Sequence, residues 1–251
     1  MKTTTLTLLL AIYSLISFGQ EETHVLQGKN PSSKIIAALH PEFSFLLPEM
    51  AGNLKFGIIK GDESKWLEGF FGVEFSKNNN GVKYSLHDAI LGEGELIIEA
   101  ISLSKTDGLV IQVEGRNLPE GTKLFWSFGG SFGKVVTEQE AGLKPDYCKY
   151  NVFSVEGSLF TVYYGESMKL KVFQAVTPLN SEIRLSDAYQ QSSPLAFFNS
   201  GKKTTAPALA AVVPLKKNDK HFFSFYRQNA EADYNTYMLP EVFSESFKKS
   251  E

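Results

Sequence analysis

Cysteine is almost absent from this chain of 251 residues, in which Cys148 is the only one. A single thiol excludes an intrachain disulfide and a structural zinc site held by several thiolates. His87 and His221, the histidines nearest to Cys148 in the sequence, are too remote along the chain to indicate a Cys–His catalytic pair. We therefore expect Cys148 to be buried as a small apolar side chain.

Histidine is scarce as well. The four histidines are His24, His40, His87 and His221, and no two of them have the short spacing that places two ligands on one metal ion. The sequence therefore predicts no metal site, and no motif in it predicts a cofactor.

A large charge of either sign is also missing. The chain has 25 lysines and arginines against 28 aspartates and glutamates, a formal net charge of -3. The basic residues are scattered, whereas a nucleic-acid-binding surface needs them gathered on one face. We predict neither a nucleic-acid partner nor a membrane partner.

Only one long apolar run occurs, and it lies at the amino terminus. Leu6–Ile16 follows the positively charged Lys2, and it is too short to span a bilayer stably. The small residues Ser17 and Gly19 stand where a signal peptidase prefers them. The sequence predicts a signal peptide over residues 1–19 and a periplasmic or secreted mature protein.

Helical periodicity is nearly absent from Pro41 to Arg227, where short apolar or alternating runs are separated by turn residues. Aromatic residues make up 13% of the chain, and their side chains favour strands. This pattern predicts an all-β fold over residues 41–238, a large antiparallel β-sandwich of the supersandwich type, after an N-terminal extension at 20–40. The predicted strands are Phe43–Leu47, Leu54–Ile59, Phe70–Phe75, Val82–His87, Leu96–Leu103, Leu109–Glu114, Lys123–Phe128, Asn151–Val155, Leu159–Tyr164, Lys169–Val176, Glu182–Leu185, Leu195–Phe198, Ala208–Leu215 and His221–Arg227.

The carboxyl terminus has a different pattern. Leu239, Val242, Phe243 and Phe247 recur at spacings of three and four, which predicts a short amphipathic helix or the start of an interdomain linker over residues 239–251. The apolar face of such a helix needs a partner to cover it. We therefore expect these four residues to pack against another module.

The stretch Leu124–Lys134, with the sequence LFWSFGGSFGK, joins a predicted strand to glycines. Trp126 is either an aromatic platform for a sugar ring or a core tryptophan between two sheets, and burial of large aromatics favours the core. We expect Gly129-Gly130 to form a tight turn that needs positive φ. A phosphate-binding loop is not predicted, because Phe128 and Val135 stand where that motif requires Gly and Ser or Thr.

Three further side chains are candidates for contact with a carbohydrate. Trp66 follows a polar stretch, so we expect it on a strand edge or loop and more exposed than Trp126. Asp146 and Tyr147 belong to a polar segment with one aromatic residue, in which Asp146 either caps a turn or binds a sugar hydroxyl. The predicted carbohydrate-binding residues are Trp66, Trp126, Asp146 and Tyr147.

No catalytic residue is predicted. Glycoside hydrolysis needs two carboxyl groups about 5–10 Å apart, and one of them must act as a general acid. The candidates are Glu93, Glu95 and Glu99. Glu93 lies in a Gly-Glu-Gly turn, where water solvates the carboxylate and does not favour the protonated form that a general acid needs. A sugar-directed activity at His87 and Glu95, mutarotase-like or hydrolytic, requires the fold to bring these two side chains together in a pocket.

Six segments in a fixed order resemble a known family. They are PEFSFLLPEMAGNLKFGII (Pro41–Ile59), ESKWL (Glu63–Leu67), LGEGEL (Leu91–Leu96), LFWSFGGSFGK (Leu124–Lys134), LKPDYCKYNVFSVEGSLFTVYYG (Leu143–Gly165) and IRLSDA (Ile183–Ala188). Together they resemble DUF4450, a family of exported bacterial proteins of unknown function, from about Pro41 to Phe247.

The resemblance implies that this region is the N-terminal β-sandwich of a longer exported protein, in which a helical, glycoside-hydrolase-like module follows. It implies a non-catalytic accessory or structural domain in a carbohydrate-degrading system, with the helical module as partner. A free-standing carbohydrate-binding module and a sugar enzyme remain the alternatives.

Overall fold

The computed structural model describes residues 23–77, 80–131, 142–165, 171–201 and 203–230, together with residue 244. Within these ranges sixteen strands form two sheets, and every strand pair is antiparallel. The all-β sandwich predicted from the sequence is confirmed. The predicted helix at 239–251, including Leu239, Val242, Phe243 and Phe247, lies outside the described residues.

The strands are β1 (His24–Gln27), β2 (Lys34–Ala37), β3 (Glu42–Leu47), β4 (Met50–Lys60), β5 (Glu63–Trp66), β6 (Gly72–Lys77), β7 (Gly81–His87), β8 (Glu95–Ser102), β9 (Gly108–Arg116), β10 (Thr122–Gly130), β11 (Val152–Glu156), β12 (Leu159–Tyr164), β13 (Lys171–Val176), β14 (Glu182–Asp187), β15 (Pro207–Pro214) and β16 (Lys220–Arg227). One helix, α1 (Pro194–Phe198), lies between β14 and β15.

Sheet 1 has the strand order β1-β2-β3-β4-β10-β15-β14, and β5 pairs with the second half of the long strand β4. Sheet 2 has the order β11-β12-β13-β16-β9-β8-β7-β6. The first sheet starts before the predicted boundary at Pro41, because β1 and β2 already belong to it.

Local turn chemistry accounts for the hairpins. The KTDG segment, Lys105–Gly108, joins β8 to β9, and Ile98 lies opposite Val113 in that pair. Glu156 and Gly157 close the hairpin of β11 and β12, where Gly157 has a φ of 62°. Asn and Gly tolerate such backbone conformations, so these turns set the strand register.

The main core lies between the two sheets and is rich in aromatic rings. Trp126 on β10 stacks on Phe160 of β12 with ring centroids 5.7 Å apart. Phe128, two residues further on, stacks on Phe173 at 5.5 Å. The predicted shared face of Leu124, Trp126 and Phe128 is confirmed, because all three belong to this core. Alternation along β10 is what directs them to one side.

Two buried tyrosines tie the sheets together. The hydroxyl of Tyr84 on β7 donates a hydrogen bond to the carbonyl of Ala38 at 2.7 Å, and that of Tyr164 on β12 donates to Ala51 at 2.7 Å. Burial raises the pKa of both phenols, because a phenolate would lose its hydration there. The phenols therefore stay protonated and donate across the sandwich.

A second apolar layer covers the outer face of sheet 1. It contains Trp66, Phe125, Cys148 and Phe197, and its other members come from Ile59 of β4, from β15 and from the segments around α1. The predicted strand Leu195–Phe198 is wrong, since these residues lie in α1. The hydroxyl of Ser193 accepts from the amide of Ala196 and Pro194 starts the helix, two features that favour a helical turn.

The predicted tight turn at Gly129-Gly130 is also wrong. Both residues continue β10 and pair with Asn53 and Gly52 of β4, and neither has a positive φ. Their lack of a side chain serves close packing instead. A Cβ atom on Gly129 would lie 2.2 Å from Leu143 Cδ1, and one on Gly130 would lie 2.7 Å from the Tyr164 hydroxyl.

Candidate functional site

The segment that follows residue 141 places polar groups on the outside of sheet 1. Leu143 and Cys148 anchor it in the second apolar layer, and a short 3-10 turn, Pro145–Tyr147, lies between them. Proline at the start of that turn has the backbone angle that the turn needs. Because the anchors hold both ends, the turn directs the exposed Asp146 towards solvent.

Asp146 is the centre of a small hydrogen-bonded group. Its Oδ1 accepts from the Tyr189 hydroxyl at 3.0 Å and from Lys149 Nζ at 2.7 Å. The hydrogen bond to Asp146 raises the pKa of Lys149, so the ammonium stays charged at neutral pH. Tyr150, next in the chain, is 70% exposed and Tyr189 is 49% exposed. We call Asp146, Lys149, Tyr150 and Tyr189 the tyrosine surface.

Two of the predicted carbohydrate-binding residues lie in this region. Asp146 belongs to the tyrosine surface, and Tyr147 lies beside it, half-buried, with Lys144 Nζ 5.5 Å from its ring centroid. Tyr189 was missed by the sequence analysis, because it lies 43 residues from its partner Asp146. Binding of a carbohydrate by Asp146 and Tyr147 stays a prediction.

A narrow cleft opens beside Tyr147, between β3, β4 and the end of β10. Its volume is about 10 Å³. Two buried acceptors line it, Asn53 Oδ1 and Ser131 Oγ, and neither has a hydrogen-bond partner in the described part of the chain. A volume of this size holds one water or one hydroxyl group.

The two tryptophans lie in packed interiors. Trp126 is fully buried between the sheets, so the core alternative holds and no ring face is open to a ligand. Trp66 ends β5 and is 7% exposed against 0% for Trp126, so it is the more exposed of the two tryptophans, as expected, although it is buried as well. Its Nε1 donates to the carbonyl of Gln191 at 2.9 Å, and its ring packs edge-on against Phe125 at 5.2 Å. Carbohydrate contact by either indole stays an untested prediction, and it would require these layers to open.

His87 and Glu95 lie on neighbouring strands, β7 and β8, with Nε2 and Oε1 3.9 Å apart. They do converge, on the outer face of sheet 2, where the side chain of His87 is 56% exposed. The Glu95 carboxylate is engaged, since it accepts from Ser85 at 2.5 Å and faces Arg116 Nη1 at 3.6 Å. The pair therefore forms part of an exposed charge network.

Cys148 is buried, as predicted, with 1% of its surface exposed. Burial raises the pKa of its thiol to about 12. The thiol is therefore protonated at neutral pH, and a protonated thiol is a poor nucleophile. Neither a group of three potential metal-binding side chains nor a helix suited to cross a bilayer occurs within the described ranges.

Comparison with solved structures places this sandwich among known folds. A bacterial glucoamylase solved in complex with acarbose matches it with a TM-score of 0.51 and 14% sequence identity. The match covers 91% of this chain and 37% of the glucoamylase chain, so this chain spans little more than a third of that protein. At this identity the likeness concerns the fold.

The chain belongs to the family described as domain of unknown function DUF4450. The sequence profile of that family matches residues 47–247, which is most of the chain. The resemblance seen in the six sequence segments is thereby confirmed. Comparison with curated proteins gave no match.

Proposed function

We propose that this chain is a non-catalytic accessory β-sandwich domain of an exported carbohydrate-degrading system and packs on a helical, glycoside-hydrolase-like module. One observation carries the proposal: nearly the whole chain matches the fold of a minor part of a glucoamylase. A sandwich that forms part of a larger enzyme needs a surface for the rest of it. Export depends on the signal peptide predicted at 1–19.

The described residues offer a surface for such a partner. β11 is an edge strand of sheet 2, and Val152 and Val155 on it are 57% and 43% exposed. Trp126 of β10 contacts Phe160 of β12, so β10 lies over β12. The β14 edge of sheet 1 therefore lies on the same side of the sandwich as β11. Leu185 on β14 is 36% exposed. Exposed apolar groups on open edges are typical of interfaces. The predicted contact through Leu239, Val242, Phe243 and Phe247 remains part of the proposal.

We expect the double variant Val152→Asp/Val155→Asp to lose binding to the helical module. The two valines lie on opposite faces of β11, so the variant places a charge on each face of this edge. A charge within the contact costs roughly tenfold or more in affinity, because it must lose its water on binding. The purified chain would be mixed with a helical glycoside-hydrolase-like protein encoded by a neighbouring gene, and co-elution from a sizing column would be measured. Hydrolase activity with and without the chain would be the second readout.

Val25→Asp is the matched control. Val25 is 38% exposed on β1, the opposite edge of sheet 1, so this variant places one such negative charge on a similar site away from β11. The control should co-elute like the unchanged chain. Absence of any helical hydrolase-like gene beside this one, or no co-elution of the unchanged chain, would contradict the proposal.

The tyrosine surface favours a second candidate function, a free-standing carbohydrate-binding module. It combines two exposed aromatic rings with a carboxylate and an ammonium group, the set that contacts ring faces and hydroxyl groups of sugars. The narrow cleft beside Tyr147 adds room for one hydroxyl group. The tyrosine surface adjoins the proposed docking edges, because Tyr150 lies two residues before β11 and Tyr189 lies two residues after β14.

We expect Asp146→Ala to weaken glycan binding about tenfold if this function is present, because a charge-assisted hydrogen bond is worth about 1.5–3 kcal/mol. Calorimetry against a glycan panel is the suitable measurement. Both tryptophans are buried, so their fluorescence would not report a ligand that binds at the tyrosine surface. Asp62→Ala, at an exposed turn, is the control. Equal affinity of the two variants for a bound glycan would argue against the tyrosine surface.

A further inference from the structure

A larger cleft lies at one end of the sandwich, far in sequence from the tyrosine surface. Its volume is about 430 Å³, within the size range of small-ligand sites. Two loops build it, the loop from β9 to β10 and the loop from β15 to β16. Each loop crosses from one sheet to the other, and the loops lie side by side because β10 pairs with β15 and β9 pairs with β16.

Backbone hydrogen bonds fix the two loops. The amide of Leu215 donates to the carbonyl of Thr122 at 3.0 Å, and the amide of Asn218 donates to Gly115 at 3.2 Å. Asn117, Gly121 and Asn218 have positive φ angles, as expected in tight crossings. These hydrogen bonds join the two loops to strands of both sheets, so the shape of the cleft is fixed by the sandwich itself.

The charges around this cleft are unbalanced. Lys123, Lys216 and Lys217 line it, together with the single carboxylate of Glu120. The three lysines are exposed, and no ion pair joins any of them to a carboxylate among the described residues. Their basic neighbours behave differently, since both Arg116 and Lys220 pair with Glu114. Unpaired ammonium groups around a cavity attract anions.

The floor of the cleft is apolar. Leu118, Pro119 and the buried Leu215 line it between the lysines. A ligand that fits must therefore offer negative groups at its rim and C–H surfaces in its middle. Saccharides with carboxylate or sulfate groups have this combination, because their ring faces are apolar and their substituents are charged.

We propose that this cleft binds an acidic saccharide, one that carries carboxylate or sulfate groups, through Lys123, Lys216 and Lys217. The saccharide part of this inference rests on the proposed function, whereas the preference for anions rests on the cleft alone. The chain would then hold an acidic polysaccharide at one end of the sandwich while the edge strands contact the helical module.

The test uses the full exported chain and calorimetric titration with three oligosaccharides of matched length: an oligouronate, a sulfated oligosaccharide and a neutral glucan. We expect the acidic ligands to bind at least about tenfold more tightly than the neutral one, as the loss or gain of one charge-assisted contact implies. Comparing the oligouronate with the sulfated ligand identifies the source of the charge. Added salt should weaken both, because the lysines are exposed.

The variant K123Q/K216Q/K217Q should lose at least about tenfold in affinity for the acidic ligand. K77Q/K105Q/K203Q changes the net charge equally at exposed lysines outside the cleft and should keep that affinity. A neutral glucan bound as tightly, or equal losses in the two triple variants, would overturn the proposal. Co-elution with the helical module, measured on the same proteins, reports separately on the proposed function.

Discussion

Trp126→Ala should lower the free energy of unfolding by about 3–5 kcal/mol, the usual cost of deleting a large aromatic side chain from a packed core. Trp126 is fully buried and contacts rings of both β12 and β16, with Phe160 at 5.7 Å and Phe223 at 6.2 Å. Its removal leaves a cavity between the sheets, which the paired strands around it cannot close by collapsing. Urea denaturation followed by circular dichroism measures the change.

Trp126→Phe is the informative partner variant. The indole Nε1 has no hydrogen-bond partner among the residues the structure describes, so phenylalanine removes a buried polar group along with some volume. Because an unpaired buried donor costs about 1–3 kcal/mol, this variant should lose much less stability than Trp126→Ala. An unchanged unfolding midpoint for Trp126→Ala would contradict a core role and return Trp126 to the candidates for ligand contact.

The sequence analysis predicted the sandwich because alternation and turns are local signals. Leu109–Glu114 has four apolar residues and two polar ones in a strand pattern, and the KTDG turn before it sets its partner, β8. These features decide structure within about ten residues. The prediction failed at Leu195–Phe198, where a short apolar run fits a strand and a helix equally well and the Ser193 cap decides.

The candidate site was only half predictable for a related reason. Asp146 was identified as a polar loop residue, but its contact with Tyr189 depends on how the segments around α1 fold back over sheet 1. Trp66 was expected on a strand edge or loop and more exposed than Trp126, and both expectations hold, but the extent of its burial was not predicted. The layer that buries it comes from Phe125 and Phe197, far along the chain. The polar residues next to Trp66 in the sequence give no information about distant segments that pack over its side chain.

Gly129 is another residue whose role depends on a distant segment, and this role can be tested. The sequence indicated a turn, because glycine tolerates positive φ, whereas the structure assigns it a packing role in β10. On one side it faces the second apolar layer, where an added Cβ atom would lie 2.2 Å from Leu143 Cδ1 and 2.8 Å from Cys148 Sγ. Real Cβ atoms do not approach neighbours so closely, so the segment from Gly142 to Cys148 would have to move outwards.

Gly129→Ala should therefore lower the free energy of unfolding by about 1–3 kcal/mol, the range for overpacked positions, and loosen the second layer first. Cys148 reports on that layer, because its thiol is buried and protonated until the layer opens. We expect its labelling by a thiol reagent under native conditions to rise about tenfold for each 1.4 kcal/mol by which opening becomes easier. Mass spectrometry of the labelled protein over time gives the rate.

Gly69→Ala is the control for this result. The nearest atom to a Cβ on Gly69 is Lys65 Cε at 3.5 Å, a flexible side chain at ordinary contact distance. This variant should keep both the stability and the slow labelling of Cys148. An unchanged labelling rate for Gly129→Ala would contradict this prediction. The packing of the segment that carries Asp146 against Gly129 would then not be what holds that segment in place. The tyrosine surface would then need a different anchor.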